Sequence, residues 1–179
     1  MKNMARLLVF ALLLASCKRD VDKKEERPDN CITLSQNSQW MVSDFKANYT
    51  IQVPANYSTP LYVGFEGKVF ITKRNDNTSQ IAYAYCSSLQ CTDFGEKLSS
   101  PSPTSIALDF NGSTITLDQK ANFCNGDEHV GILYYNNDNN SFGRLFWKDK
   151  GEFKQALELS YDHSLQQEMI GIIRTIKIK

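Results

Sequence analysis

Cysteine offers the most distinctive chemistry in this chain of 179 residues. Four cysteines lie beyond residue 30, at Cys31, Cys86, Cys91 and Cys124. An even number of cysteines predicts two disulfides in an exported domain, and four cysteines allow three pairings. We expect Cys86–Cys91, because this short span suits a loop at a strand end, and that leaves Cys31–Cys124. Zinc is less favoured, because the spacing lacks a C-x-x-C pair.

Histidine is scarce, and it limits acid–base chemistry to His129 and His163. Each follows a carboxylate directly, but neighbours along a strand point to opposite faces. We therefore interpret both rings as solvated residues at turns or strand ends. The alternative is a small exported enzyme with a site near His129. The sequence contains no nucleophile elbow, H-E-x-x-H motif or phosphate-binding loop, so we predict no catalytic residues, cofactor or metal.

Aromatic residues form two adjacent pairs, Tyr134-Tyr135 and Phe146-Trp147. If the two segments pair as strands, alternation sends one ring of each pair into the core and the other outward. An outward surface at Tyr135 and Trp147 would suit a sugar or a partner protein. The alternative is that a further layer covers the second face of the sheet, so that the rings on both faces are buried. The intervening Asn-rich segment 136–140 has one carboxylate and is interpreted as a loop rather than a calcium site.

The N-terminal residues have the pattern of a secretory leader. Lys2 and Arg6 precede the apolar run 7–15, which is shorter than the roughly 20 residues a membrane-spanning helix needs. The run closes with Leu14-Ala15-Ser16-Cys17, which resembles the lipobox of bacterial lipoproteins. The resemblance implies cleavage before Cys17 and attachment of a diacylglyceryl group, usually with a further N-acyl chain such as palmitate. Two or more chains anchor a protein stably to a membrane.

The charge pattern predicts a tether after the lipidated cysteine. Residues 17–30 contain five basic and five acidic side chains and one aliphatic residue, Val21, so we expect them to be disordered. The whole chain has 20 basic and 20 acidic residues, which provides no basic footprint for nucleic acid. The predicted organisation is a signal peptide at 1–16, a tether at 17–30 and one globular domain at 31–179.

The domain is predicted to consist mainly of strands. Asn111-Gly112 between alternating segments is a strong hairpin signal, and a turn is expected at Asp149-Lys150-Gly151. Phe153, Gln155, Leu157, Leu159 and Tyr161 are expected to share one face of the last strand. The predicted strands are 49–53, 68–73, 81–86, 104–110, 113–118, 129–135, 142–148 and 153–161.

The C-terminal segment changes to a helical period. Leu165, Met169, Ile172, Ile173 and Ile176 fall on one stripe. Ser164 is expected to cap this helix, with Gln167 completing a capping box. We expect the stripe to pack on the sheet rather than on a membrane.

These elements predict an α+β fold, in which a mostly antiparallel, curved sheet carries a C-terminal amphipathic helix. The alternative is a closed, calycin-like β-barrel with a C-terminal helix. Segment 49–54 and the hairpin, strand and helix at the C-terminus resemble PsbP and Mog1-like domains, which implies the open sheet. The expected function is that of a non-catalytic lipoprotein of the bacterial cell envelope, at the outer membrane, that binds a small molecule or a protein partner.

Overall fold

The computed structural model describes residues 27–45, 49–63, 68–74, 76, 79–84, 97–98, 102–110 and 113–178. The predicted pair Cys86–Cys91 lies outside these residues. A 3-10 turn, His163–Leu165, precedes helix α1, Gln166–Ile173. The strands are β1 (Cys31–Thr33), β2 (Met41–Phe45), β3 (Tyr49–Val53), β4 (Leu61–Val63), β5 (Lys68–Thr72), β6 (Gln80–Ala84), β7 (Ile106–Phe110), β8 (Ser113–Leu117), β9 (Gln119–Asn125), β10 (Glu128–Tyr135), β11 (Asn140–Asp149), β12 (Glu152–Asp162) and β13 (Lys177–Ile178).

A curved, unclosed sheet forms the centre of the described structure, and the short helix α1 packs on it. Its eight strands follow the order β1-β9-β10-β11-β12-β6-β5-β4. Every pairing in this sheet is antiparallel except that of β1 with β9. A three-stranded sheet, β13-β3-β2, and the hairpin β7–β8 are the other sheets among the described residues, which also contain the isolated bridges Tyr57–Lys73 and Lys97–Lys154. The predicted α+β class with an open sheet is confirmed.

Apolar side chains form a core on each face of the large sheet. The main core joins the sheet to helix α1 and to β3, and it includes Ile51, Leu157, Met169 and Ile173. A smaller core on the opposite face contains Leu117, Ile132, Tyr134, Phe146 and Phe153, and side chains of the hairpin β7–β8 pack against it. The central strands are therefore covered on both sides.

The hairpins follow the turn chemistry of the sequence. Phe110 pairs with Ser113, so β7 and β8 are joined through positions 111–112, as the Asn-Gly signal predicts. Lys150 and Gly151 have φ angles of 51° and 85° between paired strands, which fits a type I′ turn. Gly126 has φ 59° between β9 and β10, where glycine accepts the left-handed conformation at little cost.

A β-bulge overturns the prediction that five residues of the last strand share one face. Leu145 pairs with Leu157 but Phe146 pairs with Gln155, so Ala156 is an extra residue in β12. The bulge reverses the alternation beyond it. Phe153 consequently belongs to the smaller core, whereas Leu157 belongs to the main core.

The C-terminal helix is shorter than its apolar stripe. Helix α1 ends at Ile173, and Ile176 lies in the turn before β13, yet it is still buried in the main core. The predicted cap at Ser164 is wrong. Asp162 caps the preceding 3-10 turn instead, because its carboxylate accepts from the Ser164 amide, and no side chain caps α1 itself.

Polar contacts hold the helix against the strands. The Tyr57 hydroxyl and the Lys73 ammonium each donate to Glu168 Oε1 at 2.8 Å. Thr175 Oγ1 accepts a hydrogen bond from the backbone amide of Gln52 at 2.8 Å, which joins the segment after the helix to β3. Among the described residues, none of the helices has the length and apolar character required to cross a membrane.

Candidate ligand-binding cavity

The disulfide predicted between Cys31 and Cys124 is confirmed. The two Cα atoms lie 5.8 Å apart, and the bond joins β1 to the adjacent strand β9. The pair closes a span of 93 residues. The bond therefore attaches the start of the domain covalently to its largest sheet.

His129 lies in the protein interior rather than at a solvated strand end. Its side chain belongs to β10, the residue is 6% exposed, and its ring centre is 5.0 Å from that of Phe153. The prediction of a solvated ring is therefore wrong for His129.

His163 is exposed, as expected, and it lies beside the Asn-rich loop. Its Nδ1 is 3.3 Å from Ser141 Oγ, and its amide donates to the Asn139 carbonyl. In the same loop, the Asn136 side chain accepts from the Phe142 amide at 2.7 Å and donates to Asp138. These bonds give the loop a structural role. No group of three or more His, Cys, Asp or Glu side chains is placed to hold a metal in the described part of the chain.

The aromatic pairs are divided between the two cores. Tyr134 and Phe146 meet edge to face in the smaller core, with ring centres 6.0 Å apart. Trp147 is 2% exposed in the main core, and Tyr135 is partly buried against it. Trp147 is therefore not the outward ring expected at this surface, because the main core covers it, whereas Tyr135 stays partly exposed.

Trp147 instead borders a cavity of about 510 Å³ at one end of the large sheet. Small-molecule sites in proteins commonly measure about 300–1,000 Å³. Four apolar residues contribute to the lining, namely Leu34, Val130, Trp147 and Ile176. The polar and charged lining residues are Ser35, Gln36, Asn125, Glu128, Lys148 and Lys177. The cavity thus combines apolar contacts with groups that orient a ligand.

Gly131 determines where the indole of Trp147 lies. A Cβ atom at this position would be 2.5 Å from Trp147 Cζ3 and 2.6 Å from Cε3, far inside the contact distance of carbon atoms. The strand next to Trp147 therefore needs glycine at position 131. A register shift between His129 and Gly131 makes Val130 the extra residue of a bulge, and Val130 lines the cavity.

Residues 34–36 form one wall of the cavity, and hydrogen bonds hold them in place. The Leu34 amide donates to the Cys124 carbonyl at 3.0 Å, and the Ser35 amide donates to the Arg174 carbonyl at 2.9 Å. The Gln36 side chain donates to the Thr175 carbonyl at 2.8 Å. With the nearby disulfide, these bonds give the wall a defined position next to the C-terminal residues.

The charges at the cavity have both signs. Glu128 and Lys177 are exposed lining residues, whereas the ammonium of Lys148 lies 5.9 Å from the centre of the Phe153 ring. Trp147 Nε1 is a buried donor without a hydrogen-bond partner among the described residues. An unpaired buried donor of this kind costs about 1–3 kcal/mol of folding free energy.

Sequence reasoning missed most of the cavity because its residues come from four separated segments. Segment 34–36, Val130 and Ile176 meet only through strand pairing and the turn that follows helix α1. The sequence predicts an outward ring at Trp147, whereas this residue contributes to the cavity from the core. Gly131 was the available signal, since a glycine inside an apolar strand marks a close approach of another group.

Three comparisons with known proteins found no match. No protein-family model matches the chain, and neither the curated proteins nor the solved structures yield a significant match.

Proposed function

We propose that this protein is a lipid-anchored lipoprotein of the bacterial cell envelope that binds a small ligand without transforming it. The cavity bordered by Trp147 is the observation that carries the binding role. The lipobox that ends at Cys17 supports the anchor. The Cys31–Cys124 bond is consistent with export, because disulfides persist in oxidising compartments.

The arrangement of the cavity favours a ligand with an apolar body and a polar end. Val130, Trp147 and Ile176 offer apolar contacts that stabilise binding by removing surface from water. Gln36 and Asn125 add hydrogen-bonding groups that would fix the orientation of the ligand.

A fluorescent amphiphile tests the cavity directly. The probe is anilinonaphthalene sulfonate, whose emission rises in apolar sites. We expect one saturable site on the folded domain and energy transfer from Trp147. Val130→Phe should intrude into the cavity and weaken binding at this site, whereas Val42→Phe, at a residue 67% exposed on β2, should leave it unchanged. Equal binding by both variants, with unchanged melting temperatures, would refute the cavity as the binding site.

The anchor has a separate test in cells. We expect Cys17→Ser to abolish incorporation of a fatty-acid analogue and to release the protein from the membrane fraction. Equal labelling and equal membrane recovery of the two forms would refute lipidation at Cys17.

A further inference from the structure

The chain enters the domain beside the turn between β9 and β10. Cys31 is bonded to Cys124 near the end of β9, and Arg27 lies 3.7 Å from Asp127 in the turn itself. The ion pair is exposed and contributes little. The disulfide is covalent, so any link to a membrane through the preceding residues terminates at this end of the sheet.

The cavity occupies the same end of the domain. Asn125 and Glu128 flank the turn between β9 and β10, and both line the cavity. Leu34 lines it three positions after Cys31, and its amide donates to the carbonyl of Cys124. The residues through which the preceding chain joins the domain and the residues that line the cavity therefore both lie at the end of β9, next to the Cys31–Cys124 disulfide.

The length of the tether limits how far this end lies from a bilayer. Residues 17–30 are 14 residues, which span at most about 50 Å when fully extended. A lipid on Cys17 would therefore hold the cavity end of the domain within about 50 Å of the bilayer surface.

We propose that the cavity faces the membrane that carries the anchor and takes up a zwitterionic phospholipid from it. This inference rests on the proposed function and names its ligand. An acyl segment would contact Val130, Trp147 and Ile176. At the rim, Glu128 would pair with the ammonium of an ethanolamine headgroup and Lys177 with its phosphate. Glu128, Lys148 and Lys177 offer partners to both charges of this headgroup, whereas the Glu128 carboxylate would repel a purely anionic one.

Tryptophan fluorescence tests this geometry in the full lipidated chain. The chain has two tryptophans, and Trp40→Phe leaves Trp147 as the single reporter. The protein is reconstituted in vesicles of phosphatidylethanolamine and phosphatidylglycerol that contain doxyl-labelled phosphatidylethanolamine. We expect Trp147 to lose most of its emission relative to unlabelled vesicles. Unchanged emission would overturn the proposed orientation. This test needs no substitution at a residue that lines the cavity.

A cavity-filling variant separates lipid uptake from surface contact. In the Trp40→Phe background, Val130→Phe should restore the emission of Trp147, whereas Val42→Phe should not. Native mass spectrometry of the detergent-solubilised chain with added phosphatidylethanolamine should show one retained lipid, lost in Val130→Phe. Quenching or lipid retention that persists in Val130→Phe would overturn uptake into the cavity. Probe binding by the soluble domain without quenching in vesicles would leave the proposed function standing and reject this inference.

Discussion

Replacing Gly131 by alanine provides the sharpest test of how the cavity is built. The added methyl would meet the Trp147 ring at 2.5 Å and 2.6 Å, whereas carbon atoms pack at about 3.5–4.0 Å. One of the two groups must therefore move by about 1 Å. The indole is buried in the main core and its side chain borders the cavity, so we expect the ring to shift into that space.

The expected cost is that of overpacking a core, about 1–3 kcal/mol of unfolding free energy. For a domain of this size each kcal/mol lowers the melting temperature by about 2–4 °C, so the loss should be roughly 2–12 °C. Differential scanning calorimetry measures this loss. Titration with anilinonaphthalene sulfonate should also show weaker binding, because the displaced indole reduces the cavity.

Gly143→Ala is the matched control on the neighbouring strand. A Cβ atom there would lie 3.2 Å from Leu133 Cδ1 and Leu159 Cδ1, which are the ends of flexible side chains. We expect a smaller change, partly offset by the reduced entropy of the unfolded chain. If Gly131→Ala melts no lower than Gly143→Ala and binds the probe as well as the unmodified domain does, the packing described for Trp147 is incorrect.

Three further predictions concern the stability of the domain. Joint replacement of Cys31 and Cys124 by alanine should cost about 4–5 kcal/mol on the chain-entropy model. Urea unfolding measures the loss, and a midpoint equal to that of the oxidised protein would contradict it. Ile173→Asp should cost several kcal/mol, because Ile173 is buried and an unpaired charge is costly there; an unchanged melting temperature would show that α1 does not contribute to the core. Burial raises the pKa of Tyr134 to about 12, from an unfolded value of about 10. The folded state therefore keeps its proton where the unfolded state loses it, and stability should fall as the pH rises from 10 to 12. Tyr134→Phe should reduce this alkaline slope in pH-dependent urea unfolding, and an identical slope would contradict the assignment.

Local patterns predicted the strands better than they predicted what covers them. The Asn-Gly signal and the alternation at 49–53 identified β7–β8 and β3, because turn chemistry and side-chain period are local properties. Strand β9 was missed, since the sequence of Gln119–Asn125 is mostly polar and has little of the β-branched or aromatic character typical of strands. The number of layers around the sheet depends on tertiary packing, which alternation alone does not report.

The candidate site was less predictable than the fold for the same reason. Alternation placed Tyr135 and Trp147 on one face, but the expectation that this face points outward depended on whether a further layer covered it, and the main core does cover it. Bulges at Val130 and Ala156 add residues that hydrophobic patterns do not mark, and each changes which side chains face a given core. The Cys31–Cys124 bond was predictable because four cysteines allow only three pairings, and the short span from Cys86 to Cys91 favours one of them.

The pairing of β13 with β3 has a consequence for when the domain can fold. Strand β3 acquires its second neighbour only from Lys177–Ile178, and the Gln52 amide finds its acceptor on Thr175, 123 positions later. Contacts between residues this far apart form slowly, because the chain between them must first be ordered. The core around Ile51 therefore stays incomplete until Lys177–Ile178 has paired with β3. Pairing of this short strand is thus a late step of folding, which follows the ordering of the chain between β3 and helix α1.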